Sequence, residues 1–265
     1  MDINQKQAFI FDLDGTLYLG GKVISGAQET LEWVREKGAK VRFVTNNPRF
    51  SRDFYLEKLM NLGIYAEVEE IITSAQVTAD YLKENPKYGK IFVIGEGQLR
   101  KELLTAGLTM VESDPDTVLI SFDTTLTYEK IMVAYHALKK GAHFIATNQD
   151  AVCPTPDGGL VDAGAIIAAL EVSTDRKIEA VLGKPSTLLA ELLIAQLGVP
   201  AENCIVVGDR LNTDIRLGKE AGMSAVWIRA HDEEIPADFN YHPDYIIKSI
   251  AELPRVLSAT PQDGA

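Results

Sequence analysis

Ala8-Phe9-Ile10-Phe11-Asp12-Leu13-Asp14-Gly15-Thr16 joins four apolar residues to two carboxylates and a turn. The run 8–11 is short, β-branched and aromatic, and continuous rather than alternating, the pattern of a strand covered on both faces. Asp12 and Asp14 then stand at its C-terminal end, where open α/β sheets place their ligands. Leu13 separates them, so one carboxylate can face a pocket while the turn at Gly15 brings the second round. Thr16 adds a hydroxyl and a backbone N–H. A calcium loop does not fit, because the further oxygen residues and the late glutamate of an EF-hand are absent.

Outward from this stretch the same type of run recurs at 41–45 (VRFVT), 91–94 (IFVI), 118–121 (VLIS), 143–147 (HFIAT), 204–208 (CIVVG) and 225–229 (AVWIR). Helical patterns lie between the runs. In 26–37, Ala27, Leu31 and Val34 share one face at i, i+4 and i+7. Ser51 caps a helix over 52–61, Thr127 opens one over 128–140 with two lysines in its last turn, and Pro185-Ser186 starts one ending at Leu197. Strand–helix alternation along the whole chain predicts an α/β protein. Two architectures accommodate it, an open doubly wound sheet and a TIM barrel of similar size.

The 265 residues are enough for one large domain or two modest ones, and 46% hydrophobic with 24% charged residues excludes a disordered chain. The net charge is 26 − 38 = −12, a poor complement to a nucleic-acid backbone, so no nucleic-acid partner is expected. Cys153 and Cys204 form no CxxC pair, which argues against a disulfide framework or structural zinc. Neither a signal-peptide pattern nor an apolar run near ~20 residues occurs. A reduced, cytoplasmic protein with no membrane partner is expected, ending in a frayed tail over 260–265.

Three further strand ends carry polar groups. Thr45-Asn46-Asn47-Pro48 offers a hydroxyl, an amide and backbone N–H groups that can cradle an anion, or it is a plain turn. Gly183-Lys184-Pro185-Ser186 puts a lysine before a helix start; it is not a Walker A loop, and an exposed lysine is the plainer reading. In Gly208-Asp209-Arg210-Leu211-Asn212-Thr213-Asp214, Asp209 ends a buried strand and Asp214 follows five residues on, where it alone would read as a helix cap.

In their order DxDGT, Thr, Lys and GDxxxxD, these motifs resemble those of the haloacid dehalogenase superfamily, over nearly the full chain. DLDGTLYLGGKVISGA, VTNNPRFSRDFYLEKL, GKPS and GDRLNTDI are most similar to its NagD/para-nitrophenylphosphatase-like branch. The resemblance implies a doubly wound, Rossmann-like, mostly parallel core over 1–77 and 182–265, with an α/β cap inserted over 78–181, and it sets the barrel aside. It implies a Mg²⁺-dependent phosphatase of small-molecule phosphate monoesters: sugar phosphates, nucleoside monophosphates, phosphoglycolate or aryl phosphates. Asp12 would be the nucleophile forming an aspartyl-phosphate, and Asp14 the general acid and base. Thr45 and Asn46 would hold phosphoryl oxygens that Lys184 neutralises. Asp12, the Asp14 carbonyl and Asp209 would ligate the metal, and Asp214 would support its water shell. Charge points the same way: each close pair of carboxylates costs about 1 kcal/mol in water and ~4 kcal/mol at a surface-like dielectric, more than one lysine offsets. Hard oxygen ligands suit Mg²⁺ better than Zn²⁺.

Within the cap, the turn-rich stretch 146–159 sits where the branch carries its specificity loop, with Asn148, Asp150 and Cys153 as the candidate contacts. Pyridoxal-phosphate-preferring relatives have a histidine at the position of Cys153, which speaks against that substrate. The expected partners are a small phosphorylated metabolite and, through the cap, a second copy of the chain. The competing functions are a phosphoryl transferase or mutase of the same superfamily, and a non-catalytic regulatory module that binds a phosphorylated ligand. A 2-haloacid dehalogenase is disfavoured because it would lack Asp14. Gly95-Glu96-Gly97 is no dinucleotide loop, since Arg100 stands at the third glycine. His136, His143, His231 and His242 show no ligand spacing, Trp33 and Trp227 read as packing, and 67–70 reads as a solvated loop.

Overall fold

Strands form where the continuous apolar runs lie. The structure, a computed structural model, describes residues 6–155, 158–229 and 233–258. All the runs quoted above are strands: Ala8–Asp12, Lys40–Thr45, Ile91–Ile94, Thr117–Ile120, His143–Ala146, Cys204–Gly208 and Ser224–Ile228. The helices predicted between them are Ala27–Glu36, Arg52–Asn61, Tyr128–Lys139 and Thr187–Leu197. Ser51 Oγ accepts the Phe54 N–H at 3.2 Å and Thr127 Oγ1 the Lys130 N–H at 3.2 Å, as their capping positions require. The expected tail at 260–265, His231, and Pro156-Asp157 of the specificity stretch lie outside the described residues.

The chain divides into two compact units. One comprises Met1–Val44, Tyr55–Ile71 and Pro185–Ala265, the other Thr45–Phe54 and Ile72–Lys184. The division falls at 71/72 and 184/185 where the sequence suggested 77/78 and 181/182, and the second unit also takes Thr45–Phe54.

In the first unit six strands lie in the spatial order Tyr245–Ile247, Ser224–Ile228, Cys204–Gly208, Ala8–Asp12, Lys40–Thr45, Ile71–Thr73. Pairing is parallel from Tyr245–Ile247 through to Lys40–Thr45. An open sheet with two edges excludes the barrel. The chain builds outward from Ala8–Asp12 on one side and later returns to build on the other. Strand order therefore reverses between Ala8–Asp12 and Cys204–Gly208, which makes that boundary a ligand-binding switch point. Ala8, Phe9, Ile10 and Phe11 are each no more than 1% exposed. Burying each large apolar side chain contributes about 1.5–3 kcal/mol, which explains why the run does not alternate.

The second unit has a four-stranded parallel sheet in the order Ala180–Val181, His143–Ala146, Thr117–Ile120, Ile91–Ile94. Alternate residues serve two cores. Phe92, Ile94, Val118, Ile120 and Phe144 pack with Ala134, Leu138, Ile166 and Leu170 of helices Tyr128–Lys139 and Ala163–Thr174. Ile91, Val93, Leu119 and Ile145 pack with Ala75, Ala79, Leu99 and Leu103 of helices Ser74–Glu84 and Gly97–Thr105. Among the described residues no helix is long and apolar enough to cross a membrane.

The stretch 67–70 is not a solvated loop. It is a 3₁₀ turn, Val68–Glu70, with a reciprocal cap, and Glu70 is buried. Glu70 takes both Arg35 Nη1 and Nη2, at 2.8 and 2.7 Å, and accepts the Glu67 N–H at 2.9 Å. Glu70→Ala takes both carboxylate bonds from the Arg35 guanidinium, which keeps only the Tyr65 carbonyl at 3.3 Å, and removes the acceptor of the Glu67 N–H, a loss of about 1–3 kcal/mol. The melting temperature of Glu70→Ala falls clearly below wild type, while that of the exposed neighbour Glu69→Ala stays unchanged; scanning calorimetry on the two variants checks this.

Candidate active site

The first unit brings carboxylates together at the switch point. Asp12 is the last residue of its strand and pairs in register with Val44, so Thr45 begins one residue beyond that pair. After Asp12 the chain closes tightly: the Leu17 N–H donates to Leu13 O at 2.9 Å and the Gly15 N–H to Tyr18 O at 2.8 Å. Gly15 has φ +91°, and a Cβ there would collide with the Asp209 carboxylate. Its glycine thus serves both the turn and the approach of Asp209. Thr16 spends its N–H on Leu13 O at 3.3 Å, while its hydroxyl is buried with no partner among the described residues.

Asp209 follows directly on strand Cys204–Gly208, and a wide π-type turn over Leu211–Ile215 carries the chain to Asp214. Asp214 folds back over Gly208, where any Cβ would overlap its carboxylate. The Arg210 N–H donates to Asp214 Oδ2 at 3.1 Å, and the Asp214 N–H to Arg210 O at 3.0 Å. Asp12, Asp209 and Asp214 each present an oxygen within 4.8 Å of the others. Three like charges gathered so closely, all hard oxygen donors, form a set that fits a divalent cation such as Mg²⁺. Asp214, expected at the edge of a metal site, lies as close as the other two.

Asp14 has different company. Its Oδ2 accepts from the Tyr18 hydroxyl at 3.3 Å, and its Oδ1 lies 3.8 Å from Lys58 Nζ. The same ammonium sits 3.7 Å over the Tyr18 ring. Burial first, and the Asp14 charge second, push the Tyr18 phenol far above its ordinary range, so it remains a donor. Neither Tyr18 nor Lys58 figured in the sequence expectations. Tyr18 was within reach, four residues after Asp14, whereas nothing local points to Lys58.

The second unit carries Thr45, Asn46, Lys184 and the specificity stretch. The Asn46 amide is fully engaged: Oδ1 accepts the Lys184 N–H at 2.8 Å, and Nδ2 donates to Lys184 O at 3.0 Å and to Asp150 Oδ2 at 2.7 Å. Ser74 Oγ donates to the Asn46 carbonyl at 2.8 Å, and Thr45 Oγ1 accepts the Asn47 N–H at 3.1 Å. Lys184 is 3% exposed, which overturns its reading as a surface lysine. Asn148 is wholly buried; its Nδ2 bridges Asp150 Oδ2 at 3.2 Å and Asp162 Oδ1 at 3.1 Å, and its Oδ1 accepts from Thr147 at 2.8 Å. With its amide spent inside the unit, Asn148 acts on Asp150 and Asp162 rather than on a ligand from outside. Asp162, which also caps helix Ala163–Thr174, was not anticipated. Cys153 is half-buried, its sulfur 3.9 Å from Asn47 Nδ2. The Gly-Glu-Gly run is a brace: Glu96 takes Arg49 Nε at 2.9 Å and the Thr124 N–H and hydroxyl at 3.0 and 2.7 Å. Burial alone would raise the Glu96 carboxyl, but these donors hold it below its usual range.

Fold and site define an α/β enzyme core that assembles carboxylates in a strand-end crevice. Residues 9–109 match the profile of the haloacid dehalogenase-like hydrolases, and residues 181–253 that of the HAD-hydrolase-like proteins. The chain is 36% identical over 249 residues to the sugar-phosphatase AraL of Bacillus subtilis, covering 93% of this chain and 92% of that protein. Among solved structures, 4-nitrophenylphosphatase from Thermotoga maritima superposes with a TM-score of 0.88 at 37% identity, over 96% of this chain and 98% of that one. Glycerol phosphate phosphatase from Mycobacterium tuberculosis, solved in complex with magnesium, gives 0.86 at 30% identity, over 100% and 82%. The chain belongs to the haloacid dehalogenase-like hydrolase family, in its NagD/para-nitrophenylphosphatase-like branch.

Asn46→Ala strips the Lys184 peptide of two hydrogen bonds and Asp150 of one. At about 1–3 kcal/mol for each buried group left unsatisfied, and ~2–4 °C per kcal/mol, the variant melts several degrees below wild type. Cys153→Ala, which removes only a long sulfur contact, melts within about a degree of wild type, so differential scanning fluorimetry separates the two.

Proposed function

We propose that the chain hydrolyses phosphate monoesters of small molecules, with Mg²⁺ bound by Asp12, Asp209 and Asp214 and with an aspartyl-phosphate on Asp12. The observation that carries this reading is the contrast between the three converging carboxylates and Asp14, two residues from Asp12 yet set beside a phenol and an ammonium.

A carboxylate has two oxygens, so Asp12 could help hold a cation with one while the other attacks phosphorus. The bond from Asp12 to phosphorus forms as the ester P–O bond breaks, and the leaving oxygen takes its proton from Asp14. Asp14 then removes a proton from a water that attacks the acyl-phosphate, releasing inorganic phosphate and restoring Asp12. When bound, the divalent cation neutralises charge shared by the carboxylates and the phosphoryl oxygens. The Tyr18 hydroxyl at 3.3 Å and the Lys58 ammonium at 3.8 Å stand where they can meet the charge on Asp14 when it acts as base in the second half. In the first half, Asp14 hands a proton to the leaving oxygen and gains the charge that these two groups receive. Thr45 and Lys184 meet the phosphoryl oxygens in this proposal, and Asn46 serves by fixing the Lys184 peptide.

Leaving-group preference falls to the second unit, where Asp150 and Cys153 are the groups nearest to the expected role. The names of the similar proteins, a sugar phosphatase, a glycerol phosphate phosphatase and a 4-nitrophenylphosphatase, favour polyol and aryl esters among the classes considered. A panel of such esters assayed by phosphate release tests the reading.

Asp12→Asn cannot form the acyl-phosphate and loses para-nitrophenyl phosphate turnover while keeping its far-UV circular dichroism. Asp14→Asn slows turnover by roughly 10²–10⁴, the range of a lost proton transfer. Exhaustive chelation abolishes activity and added Mg²⁺ restores it. Activity that persists in EDTA after dialysis contradicts the metal-bound carboxylate group.

A further inference from the structure

Trp227 reads from the sequence as core packing, and by volume and burial it is: the side chain is 1% exposed. It clusters with Ile215 and Ala225, and Leu211, Ile235 and Phe239 pack against that cluster. Packing does not account for its polar edge. An indole carries one donor and no acceptor, and a buried indole N–H needs a partner. Here Nε1–H donates to the backbone carbonyl of Asp209 at 2.9 Å.

The register shows why that carbonyl is within reach. Trp227 pairs with Gly208, the last residue of strand Cys204–Gly208. Asp209 is the first residue beyond the strand, where the chain leaves the sheet to make its wide turn. The indole meets the first carbonyl beyond the strand end.

The carbonyl of Asp209 and the N–H of Arg210 belong to one planar peptide unit, so orienting one orients the other. The Arg210 N–H donates to Asp214 Oδ2 at 3.1 Å. A continuous chain of donors and acceptors therefore runs from the Trp227 indole through the 209–210 peptide to the Asp214 carboxylate. Hydrogen bonds in series polarise one another, which strengthens the link at its charged end. Trp227 also shares a buried cluster with Ile215, and Leu211 packs against that cluster; these are the two ends of the turn that carries Asp214. One side chain thus bears on both carboxylates that the second half of the chain brings to the switch point.

We propose that Trp227 is a positioning residue of the cation site: through the 209–210 peptide it sets the Asp209 and Asp214 carboxylates for Mg²⁺, and its indole senses the ion. This rests on the reading that Asp12, Asp209 and Asp214 hold the cation. Groups that orient metal ligands from behind are worth about 10–100-fold in metal affinity. The weaker end of that range applies to a bond that acts through a neutral peptide.

The test is Mg²⁺ binding, measured by titration calorimetry on the full chain with no ester present. Trp227→Phe removes the donor but also part of the ring. Benzothienylalanine at position 227 keeps the ring and puts sulfur in place of the N–H. Both are expected to bind Mg²⁺ about tenfold more weakly than wild type. Wild-type affinity in the benzothienylalanine protein, whether or not Trp227→Phe weakens binding, overturns the proposal, because the N–H then does nothing for the ion. A wild-type chain that takes up no Mg²⁺ overturns the cation reading and this inference with it. A second readout is spectroscopic. The chain has two tryptophans, so Trp33→Phe leaves Trp227 as the sole indole emitter. Its emission is expected to change along the calorimetric isotherm. Emission that stays flat while Mg²⁺ binds overturns the link between indole and site.

Discussion

Electrostatic repulsion among Asp12, Asp209 and Asp214 is the constraint around which the first unit is built. Oxygens from three carboxylates lie within 4.8 Å of one another. At a surface-like dielectric each close pair opposes folding by ~4 kcal/mol, so local structure must hold them against this. Two glycines make the room, Gly15 for Asp209 and Gly208 for Asp214. A backbone N–H from Arg210 anchors one oxygen of Asp214. The strand order supplies the rest, because reversing direction between Ala8–Asp12 and Cys204–Gly208 leaves their C-terminal ends side by side with a crevice between.

The second unit solves a different problem, that of burying polar groups without charge clustering. Asn46, Asn148, Asp150, Asp162 and Lys184 come from four separated segments. Unsatisfied, each would cost several kcal/mol in an apolar interior. The two asparagines connect them. Each offers a donor pair and an acceptor on one planar amide, so Asn46 ties the Lys184 peptide to Asp150, and Asn148 ties Asp150 to Asp162. A shift at Asp150 is therefore felt at the Lys184 peptide through one intervening side chain. Coupling of this type links the 146–159 stretch to the backbone at Lys184.

The strands were legible because burial on both faces removes alternation and leaves compact apolar runs bounded by turns. The motif carboxylates were legible because each stands at the end of such a run. Helix Ala163–Thr174 was not, since its apolar residues surround it, from buried Ile166 and Leu170 to Val172 at 86% exposure, and leave no periodic stripe. Strand Ile71–Thr73 is only three residues long. Other features depend on partners far away in sequence. Glu70 is buried because Arg35 meets it, and the Asn46 amide is engaged because Lys184 lies across from it, 138 positions on. Local patterning has no access to such pairings. It marks Asn46 as polar at a strand end and cannot tell an amide that faces a ligand from one that holds a lysine in place.

Asp12 and Asp14 lie two positions apart in sequence and meet different neighbours. Asp12 has two carboxylates among its neighbours, an arrangement that fits a divalent cation. Asp14 has an ammonium at 3.8 Å and a phenol at 3.3 Å, both of which receive negative charge. The turn at Gly15 is what separates the two aspartates. It sends the chain back so that the Gly15 N–H meets Tyr18 O at 2.8 Å, and the Tyr18 hydroxyl donates to Asp14. The different surroundings of two identical side chains thus follow from one glycine's backbone conformation, which also leaves the space that Asp209 fills.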